Sequence, residues 1–268
     1  MRSRAELATL IGLVGGVASI IITIRLNTGS LKALEALLHA GPIVLIFGGT
    51  LGVTFISYPL SDLKHMPRLI GQAFRVPDLH MPDVIDFVAR LADKARKGGL
   101  LSLQSDIEDV TDPFLKRGML LLVDGTDPEL MYGVMKSELS LNLARRRRLA
   151  GMFDAAGGYS PTIGIIGTVL ELVHVLGSLD AEPEKLGKAI ASAFLATFYG
   201  ILSANYFWLP IGRKLKIQIM ARENHGDMII EGLMLIQNGQ SGRFIRERLQ
   251  AFLPSGEKLE MPRKETVA

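Results

Sequence analysis

Ionisable side chains lie in the middle of an apolar stretch, YSPTIGIIGTVLELVHVLGSL, at residues 159–179. Thr168, Glu171 and His174 follow Gly164 at helical spacing, so a helix would place them on one face. An ionised side chain at the centre of a bilayer costs at least about 2.5–3.5 kcal/mol, so this face must turn towards protein or water. These residue types suit hydrogen bonding between helices or the passage of a cation, and the spacing leaves both roles open.

A second apolar stretch, at 188–210, carries small residues on one helical face, with Thr197 beside it. In a membrane, small side chains let two helices approach closely. The pattern therefore predicts a tight contact between this helix and a neighbour. The small residues recur every three or four positions and are Ala189, Ala193, Ala196, Gly200 and Ala204.

The elements that must position these residues are membrane-spanning helices. A helix needs roughly 20 apolar residues to cross about 30 Å of hydrocarbon. The chain is 48% hydrophobic and 21% charged, a composition that indicates a protein partly in lipid and partly in water. Because no strand-like alternation is present, we predict an all-α fold with four transmembrane helices. The four windows are 6–24, 40–58, 160–179 and 188–210.

Lysine and arginine residues predict the orientation of the chain. Two lie in the head before the first span, fourteen in 59–150 and ten from residue 211 onward, against two in each short connection. Because cytoplasmic segments carry the excess of basic residues, the head, the long middle segment and the tail are predicted to face the cytoplasm. The predicted divisions are a first transmembrane hairpin at 1–58, a cytoplasmic helical domain at 59–150, a second hairpin at 151–210, and a cytoplasmic helix with a disordered tail at 211–268.

Local signals predict where helices begin and end. Leucines at helical spacing in 25–39 predict an amphipathic helix on the outer membrane surface. A helix is expected from Pro82 to the Gly98-Gly99 pair, and another is expected to begin at Asp127-Pro128. Turn signals stand at Pro113, at Asp124-Gly125 and at Gly157-Gly158.

Several functional classes lack their motifs in this chain. The absence of cysteine excludes disulfides and thiolate metal sites. There is no phosphate-binding loop, zinc-protease motif or nucleophile elbow, so neither an enzyme nor a cofactor or metal is expected. The run Arg145 to Arg148 has no partner motif for nucleic acid and is interpreted as a topology anchor at the membrane face.

The two C-terminal spans contain two motifs, P-T-I-G-I-I-G-T-V-L-x-L-V-H-V-L-G-S-L and A-T-F-Y-G-I-L-x-A-x-x-F-W-L-P. With four spans and a long segment between the second and third, they resemble the MotA/TolQ/ExbB family, in particular its flagellar stator members. The resemblance implies a non-enzymatic subunit of the bacterial inner membrane, of which five copies surround two copies of MotB. Flow of H⁺ or Na⁺ would then drive torque on the rotor protein FliG.

The resemblance also implies roles for individual residues of the two spans. Pro161 and Pro210 match the prolines that couple ion binding to movement, and Thr168 and Thr197 match the threonines that line the ion path. His174 lies on the same predicted face. Glu171 stands where the family usually has a small residue, which adds an ionisable group near the expected path.

The torque-transmitting residues are expected in the cytoplasmic segment. Arg96 matches the arginine that faces the rotor, and Lys97 lies beside it. Gln104 replaces the usual glutamate, so the acidic half of the interface is expected either to move to a neighbouring carboxylate or to be weaker in this chain. The candidates are Asp106, Glu108 and Asp109.

Two alternative functions remain at this point. An energiser of another envelope machine, of the ExbB or TolQ kind, would usually have three spans, whereas this chain has four predicted ones. A small secondary transporter would be expected to carry an internal repeat around a site at the midplane, and none is visible between the two hairpins.

Overall fold

The computed structural model describes residues 4–5, 7–29, 37–77, 79–177 and 183–253 of the 268-residue chain. The described residues form two compact units. The first unit comprises 1–77 and 146–218, and the second unit comprises 78–145 and 219–268.

The first unit is helical apart from one pair of two-residue strands, β1 (Arg4–Ala5) and β2 (Arg75–Val76), which run antiparallel. This architecture confirms the prediction of an all-α fold. Its helices are α1 (Leu7–Thr28), α2 (Ala40–Ser57), α3 (Leu60–Leu63), α4 (Met66–Ala73), the C-terminal part of α7 (Pro128–Leu176), α8 (Pro183–Ser203), a π-helical segment (Ala204–Trp208) and the N-terminal part of α9 (Leu209–Gln237).

The second unit contains the remaining helices together with the other parts of α7 and α9. Because α7 and α9 each run without a break across a unit boundary, both contribute residues to both units. The further elements are α5 (Met81–Gly98), a 3₁₀ segment (Leu100–Asp106), α6 (Pro113–Val123), α10 (Gly242–Leu249) and a 3₁₀ turn (Gln250–Phe252).

In the part of the chain that the structure describes, four helical stretches are long and apolar enough to cross a membrane, as the sequence predicted. They are Ile11–Thr28 and Ala40–Ser57, with one more in α7 and one in Leu186–Gln237, where α8 and α9 run on from each other. Large apolar side chains on these helices remain exposed, including Ile56 and Phe194 at 87% and 70%. Such a surface requires lipid or another subunit to cover it.

Two predicted segments fall largely outside the described residues. The expected surface helix at 25–39 includes 30–36, and the expected disordered tail is 254–268, and the structure describes neither of these ranges. Residues 25–28 form the last turn of α1. Both expectations therefore stay predictions.

The turn expected at Gly157-Gly158 is wrong, because both glycines lie inside α7. An added Cβ at Gly157 would lie 2.5 Å from a side-chain carbon of Leu209, so this glycine provides close contact with another helix. Pairs of glycines signal turns in water, but packing between neighbouring helices can hold them in a helix. Gly157 therefore serves helix packing here, whereas Gly158 is an exposed residue of the same helix.

Other local signals act as the sequence predicted. The Asp127 carboxylate accepts hydrogen bonds from the backbone N–H groups of Glu129 and Leu130, and so caps the start of α7. Gly99 ends α5, and Gly125 lies in the turn after α6, each with a positive φ that favours glycine.

Arg148, the last residue of the arginine run, pairs with a buried carboxylate of the first unit. Its Nε lies 3.0 Å from Oδ2 of Asp62 and its Nη2 donates to Oδ1 at 3.2 Å, while Asp62 is only 3% exposed. A buried carboxylate needs such a partner to remain charged at acceptable cost. The interpretation of the run as a topology anchor missed this specific role.

His225 gives the second unit a dependence on pH. Its side chain in α9 is buried, lies outside the predicted spans and has no hydrogen-bond partner at Nε2. Burial lowers the pKa of His225, and Asp112, whose Oδ2 is 4.0 Å from Nδ1, opposes this effect only in part. The folded protein therefore favours the neutral imidazole, whereas the unfolded chain protonates near pH 6.5.

We expect the second unit to lose stability as the pH falls through about 6.5, because protonation then favours the unfolded state. Between about pH 8 and pH 5, the melting temperature of the wild type in detergent should fall by several degrees more than that of His225→Gln. Because both proteins are measured in the same detergent, the difference between their shifts in melting temperature reports the effect of His225. Equal shifts in the two proteins would contradict this account.

Candidate functional site

Small residues bring α7 and α8 unusually close together. An added Cβ at Gly200 would lie 2.7 Å from the carbonyl oxygen of Ser160, and one at Gly164 would lie 2.9 Å from that of Ala196. Because both obstacles are backbone atoms, neither can be moved by a change of rotamer. Only glycine permits this approach, which confirms the close contact predicted from the small face of α8.

Thr168 and Thr197 meet across this contact. Their Oγ1 atoms are 2.5 Å apart. The Thr168 hydroxyl also lies 2.9 Å from the Ala193 carbonyl oxygen of α8 and 3.1 Å from the Gly164 carbonyl oxygen of its own helix. The Thr168 hydroxyl has one proton and donates it to one of these oxygens at a time. The two hydroxyl and two carbonyl oxygens together place four oxygen atoms between two apolar helices.

A second hydroxyl pair lies nearer to Pro161. Ser160 and Ser203 are buried, and their Oγ atoms are 2.6 Å apart. Ser203 also donates to the carbonyl oxygen of Gly200 at 3.2 Å, which leaves Ser160 as the donor within the pair. Sequence reasoning missed this pair. The sequence signal for this pair was Ser203, which lies three positions after Gly200 on the same helical face as the small residues of α8.

Glu171 forms the third polar contact between the two helices. The Ser192 hydroxyl lies 3.4 Å from Oε1 of Glu171, which is half-buried. The predicted companion His174 has an exposed side chain. Of the two ionisable residues, the structure thus brings the glutamate into the helix contact beside Thr168.

These contacts form a polar seam between α7 and α8, which we define as Ser160, Ser203, Thr168, Thr197, Glu171 and Ser192. On α7, Thr168 lies eight residues beyond Ser160, about 12 Å along the helix, and Glu171 follows after another 4.5 Å or about one turn. Hydroxyl, carbonyl and carboxylate oxygens can bind a small cation or pass a proton. The seam therefore offers oxygen atoms at three levels of an otherwise apolar contact.

The two prolines lie at one end of the seam in different helical settings. Helix α7 continues through Pro161 without interruption. Before Pro210 the chain forms the π-helical segment, in which the Leu209 N–H donates to the Ala204 carbonyl oxygen. Proline removes a backbone donor, and a π-helical turn widens the helix where such a bond is missing.

The predicted rotor-facing residues lie on the surface of the second unit. Arg96 and Lys97 are exposed in the last turn of α5, and Gln104 and Glu108 are exposed in and after the 3₁₀ segment. Asp106 differs, because its Oδ2 accepts a hydrogen bond from Lys94 at 2.6 Å. Among the described residues, no group of three His, Asp or Glu side chains is arranged to hold a metal ion.

Comparisons with known proteins show which family the chain is similar to. The profile of the MotA/TolQ/ExbB proton channel family matches residues 106–228. Motility protein A of Bacillus subtilis is 33% identical over 84% of this chain and 84% of its own length. Chemotaxis protein PomA of Vibrio alginolyticus is 32% identical over 94% of this chain and 97% of its own length.

Solved structures show the same fold. The structure of C. jejuni MotAB superposes with a TM-score of 0.87 at 27% identity, covering 96% of this chain and 99% of that one. The flagellar MotAB stator complex from Bacillus subtilis gives a TM-score of 0.80 at 30% identity, covering 93% and 95%. The chain belongs to the MotA/TolQ/ExbB proton channel family.

Proposed function

We propose that this chain is a stator subunit of the bacterial flagellar motor and that a cation crosses the inner membrane along the polar seam. The observation that carries the proposal is the contact of Thr168 with Thr197 across the close α7–α8 interface. An apolar contact would serve packing alone. Hydroxyl groups placed there can exchange hydrogen bonds with a passing ion at little cost.

The subunit acts with a partner and with copies of itself. Two solved relatives are complexes named MotAB, which supports MotB as the partner of this chain. We propose a pentamer around two MotB copies, with both chain termini in the cytoplasm. In such an assembly other subunits would cover part of the exposed apolar surface of the spans.

The conducted ion is H⁺ or Na⁺. The seam contains hydroxyl, carbonyl and carboxylate oxygens, and these groups suit both a sodium ion and a proton relay. Glu171 adds two further oxygen atoms beside Thr168, and oxygen atoms suit a cation rather than an anion. Pro161 and Pro210 are placed to couple occupancy of the seam to movement of α7 and α9, which continue into the second unit.

The surface around Arg96 is proposed to contact the rotor protein FliG. Arg96 and Lys97 present positive charge, and the exposed Glu108 presents negative charge where Gln104 cannot. Asp106 is already paired with Lys94. The acidic half of the rotor contact is therefore assigned to the two other exposed candidates, Glu108 and Asp109.

A charge reversal at the rotor surface should uncouple ion flow from rotation. We expect Arg96→Asp to lower swimming speed while the amount of protein in the membrane stays unchanged, because an exposed side chain contributes little to stability. Cell tracking measures the speed, and a compensating charge change in FliG should restore it in part. Unchanged speed would contradict the assignment of Arg96.

The function as a whole is tested by deleting the gene and tracking flagellated cells. Loss of rotation with intact filaments, restored by the wild-type gene, would support the stator assignment. Speeds in sodium-free medium and with a proton uncoupler then identify the ion. Full motility of the deletion strain, in a genome without a second stator gene, would contradict the proposal.

A further inference from the structure

An ion pair between α7 and α9 continues the line of polar contacts past Ser160. Asp154 lies six residues before Ser160, about 9 Å further along α7. The Lys216 Nζ is 2.6 Å from Oδ2 of Asp154, and the two side chains are 53% and 34% exposed. The carboxylate is therefore partly buried and partly exposed.

Asp154 lies on the face of α7 that carries Thr168 of the seam. Positions 154, 157, 161, 164 and 168 follow at alternating steps of three and four, which places them on one side of a helix. Gly212 of α9 faces the carboxylate, since an added Cβ there would lie 2.8 Å from Oδ1 of Asp154. The close approach of helices in the seam thus extends to this carboxylate.

We propose that the Asp154 carboxylate is a cation-binding site at the water-facing end of the seam and that Lys216 is a counter-ion which the cation displaces. This inference rests on the proposed function. The hydroxyls of Ser160 and Ser203 carry only partial charges. The carboxylate of Asp154, the next charged group along α7, carries a full negative charge. A sodium ion would replace the ammonium contact at Oδ2, or a proton would convert the carboxylate to the acid, and Lys216 keeps its own proton in both cases.

Displacement of Lys216 has a mechanical consequence. The pair ties α7 to α9 inside the first unit, and both helices continue into the second unit. A cation at Asp154 releases this tie, because the lysine then loses its partner. Each passing ion would thereby loosen the contact of the two helices at a position between Pro161 and the second unit.

The test compares two substitutions that break the same ion pair. Cation influx is measured in cells that express the chain together with its MotB-type partner. Asp154→Asn removes the site and leaves Lys216 uncompensated, so influx should fall at least about fivefold, the effect of a unit charge about 4 Å away even in water. Lys216→Gln frees the carboxylate from the ammonium group that competes with the cation, so influx should rise.

A pair that only stabilises the fold would respond differently. Both substitutions would then lower influx to the same extent, in proportion to the loss of protein from the membrane, and that result would overturn the proposal. Unchanged influx in Asp154→Asn would also overturn it. Lys136→Gln is the matched control, because Lys136 forms a similar pair with Asp227, at 2.7 Å, in the second unit.

The two proposals fail in distinguishable ways. Absence of influx in wild-type cells would contradict the stator assignment itself. Influx in the wild type together with equal influx in Asp154→Asn would contradict the site at Asp154 alone. The amount of each variant in the membrane is measured in parallel.

Discussion

Replacing Gly200 with alanine should separate α7 from α8 and abolish motility. The added methyl group would lie 2.7 Å from the carbonyl oxygen of Ser160, and this backbone atom cannot turn aside. Forcing extra volume into a close contact costs about 1–3 kcal/mol. The Ser160–Ser203 pair, which depends on the same approach, would part as well. Thermal melting in detergent and swimming speed measure the two effects.

Gly48→Ala is the control for this substitution. Gly48 lies in α2, another spanning helix, and an added Cβ there meets no atom of the described residues within 4 Å. The control should melt and swim like the wild type. Equal behaviour of the two alanine variants would show that the close approach of α7 and α8 contributes nothing measurable.

Replacing Arg148 with methionine should strongly destabilise the first unit. Asp62 would keep a buried carboxylate without its charged partner, because the guanidinium that lies 3.0 Å away is lost. Leaving a buried charge unpaired costs about 3 kcal/mol. We expect less protein in the membrane and a melting temperature lower by several degrees.

The neighbouring Arg146→Met supplies the control, since the Arg146 side chain is exposed in the same run. It removes the same charge from the membrane face without touching Asp62. If the run acted only as a topology anchor, both substitutions would have equal and small effects. A second test is Asp62→Asn combined with Arg148→Met, which should recover part of the lost stability because no buried charge remains.

Much of the architecture could be predicted from the sequence because the bilayer imposes simple requirements. Apolar length predicted the four spans, and proline, glycine and aspartate predicted the ends of α5 and the start of α7. The small residues of α8 predicted a close helix contact, and the face of Thr168 was predicted to turn towards protein or water. These predictions depend on local composition and on helical periodicity.

The remaining contacts depend on residues that are far apart in the chain. Ser160 and Ser203 are separated by 43 positions, and Arg148 and Asp62 by 86. No local pattern states which polar side chains will meet over such separations. Gly157-Gly158 was misinterpreted for a related reason, since packing against Leu209 outweighs the local preference of glycine for a turn.

The most direct test of the central claim measures cation influx in cells that express Thr168→Val and, separately, Thr162→Val together with the partner. Valine keeps the shape of threonine and removes the hydroxyl. Thr168 contacts Thr197 across the helix contact, whereas Thr162 is exposed and donates to the Tyr159 carbonyl oxygen of its own helix. If the ion crosses along the seam, Thr168→Val lowers influx by at least about fivefold, the factor for about 1 kcal/mol, and Thr162→Val does not. Equal influx in both variants and the wild type would contradict an ion path along the seam.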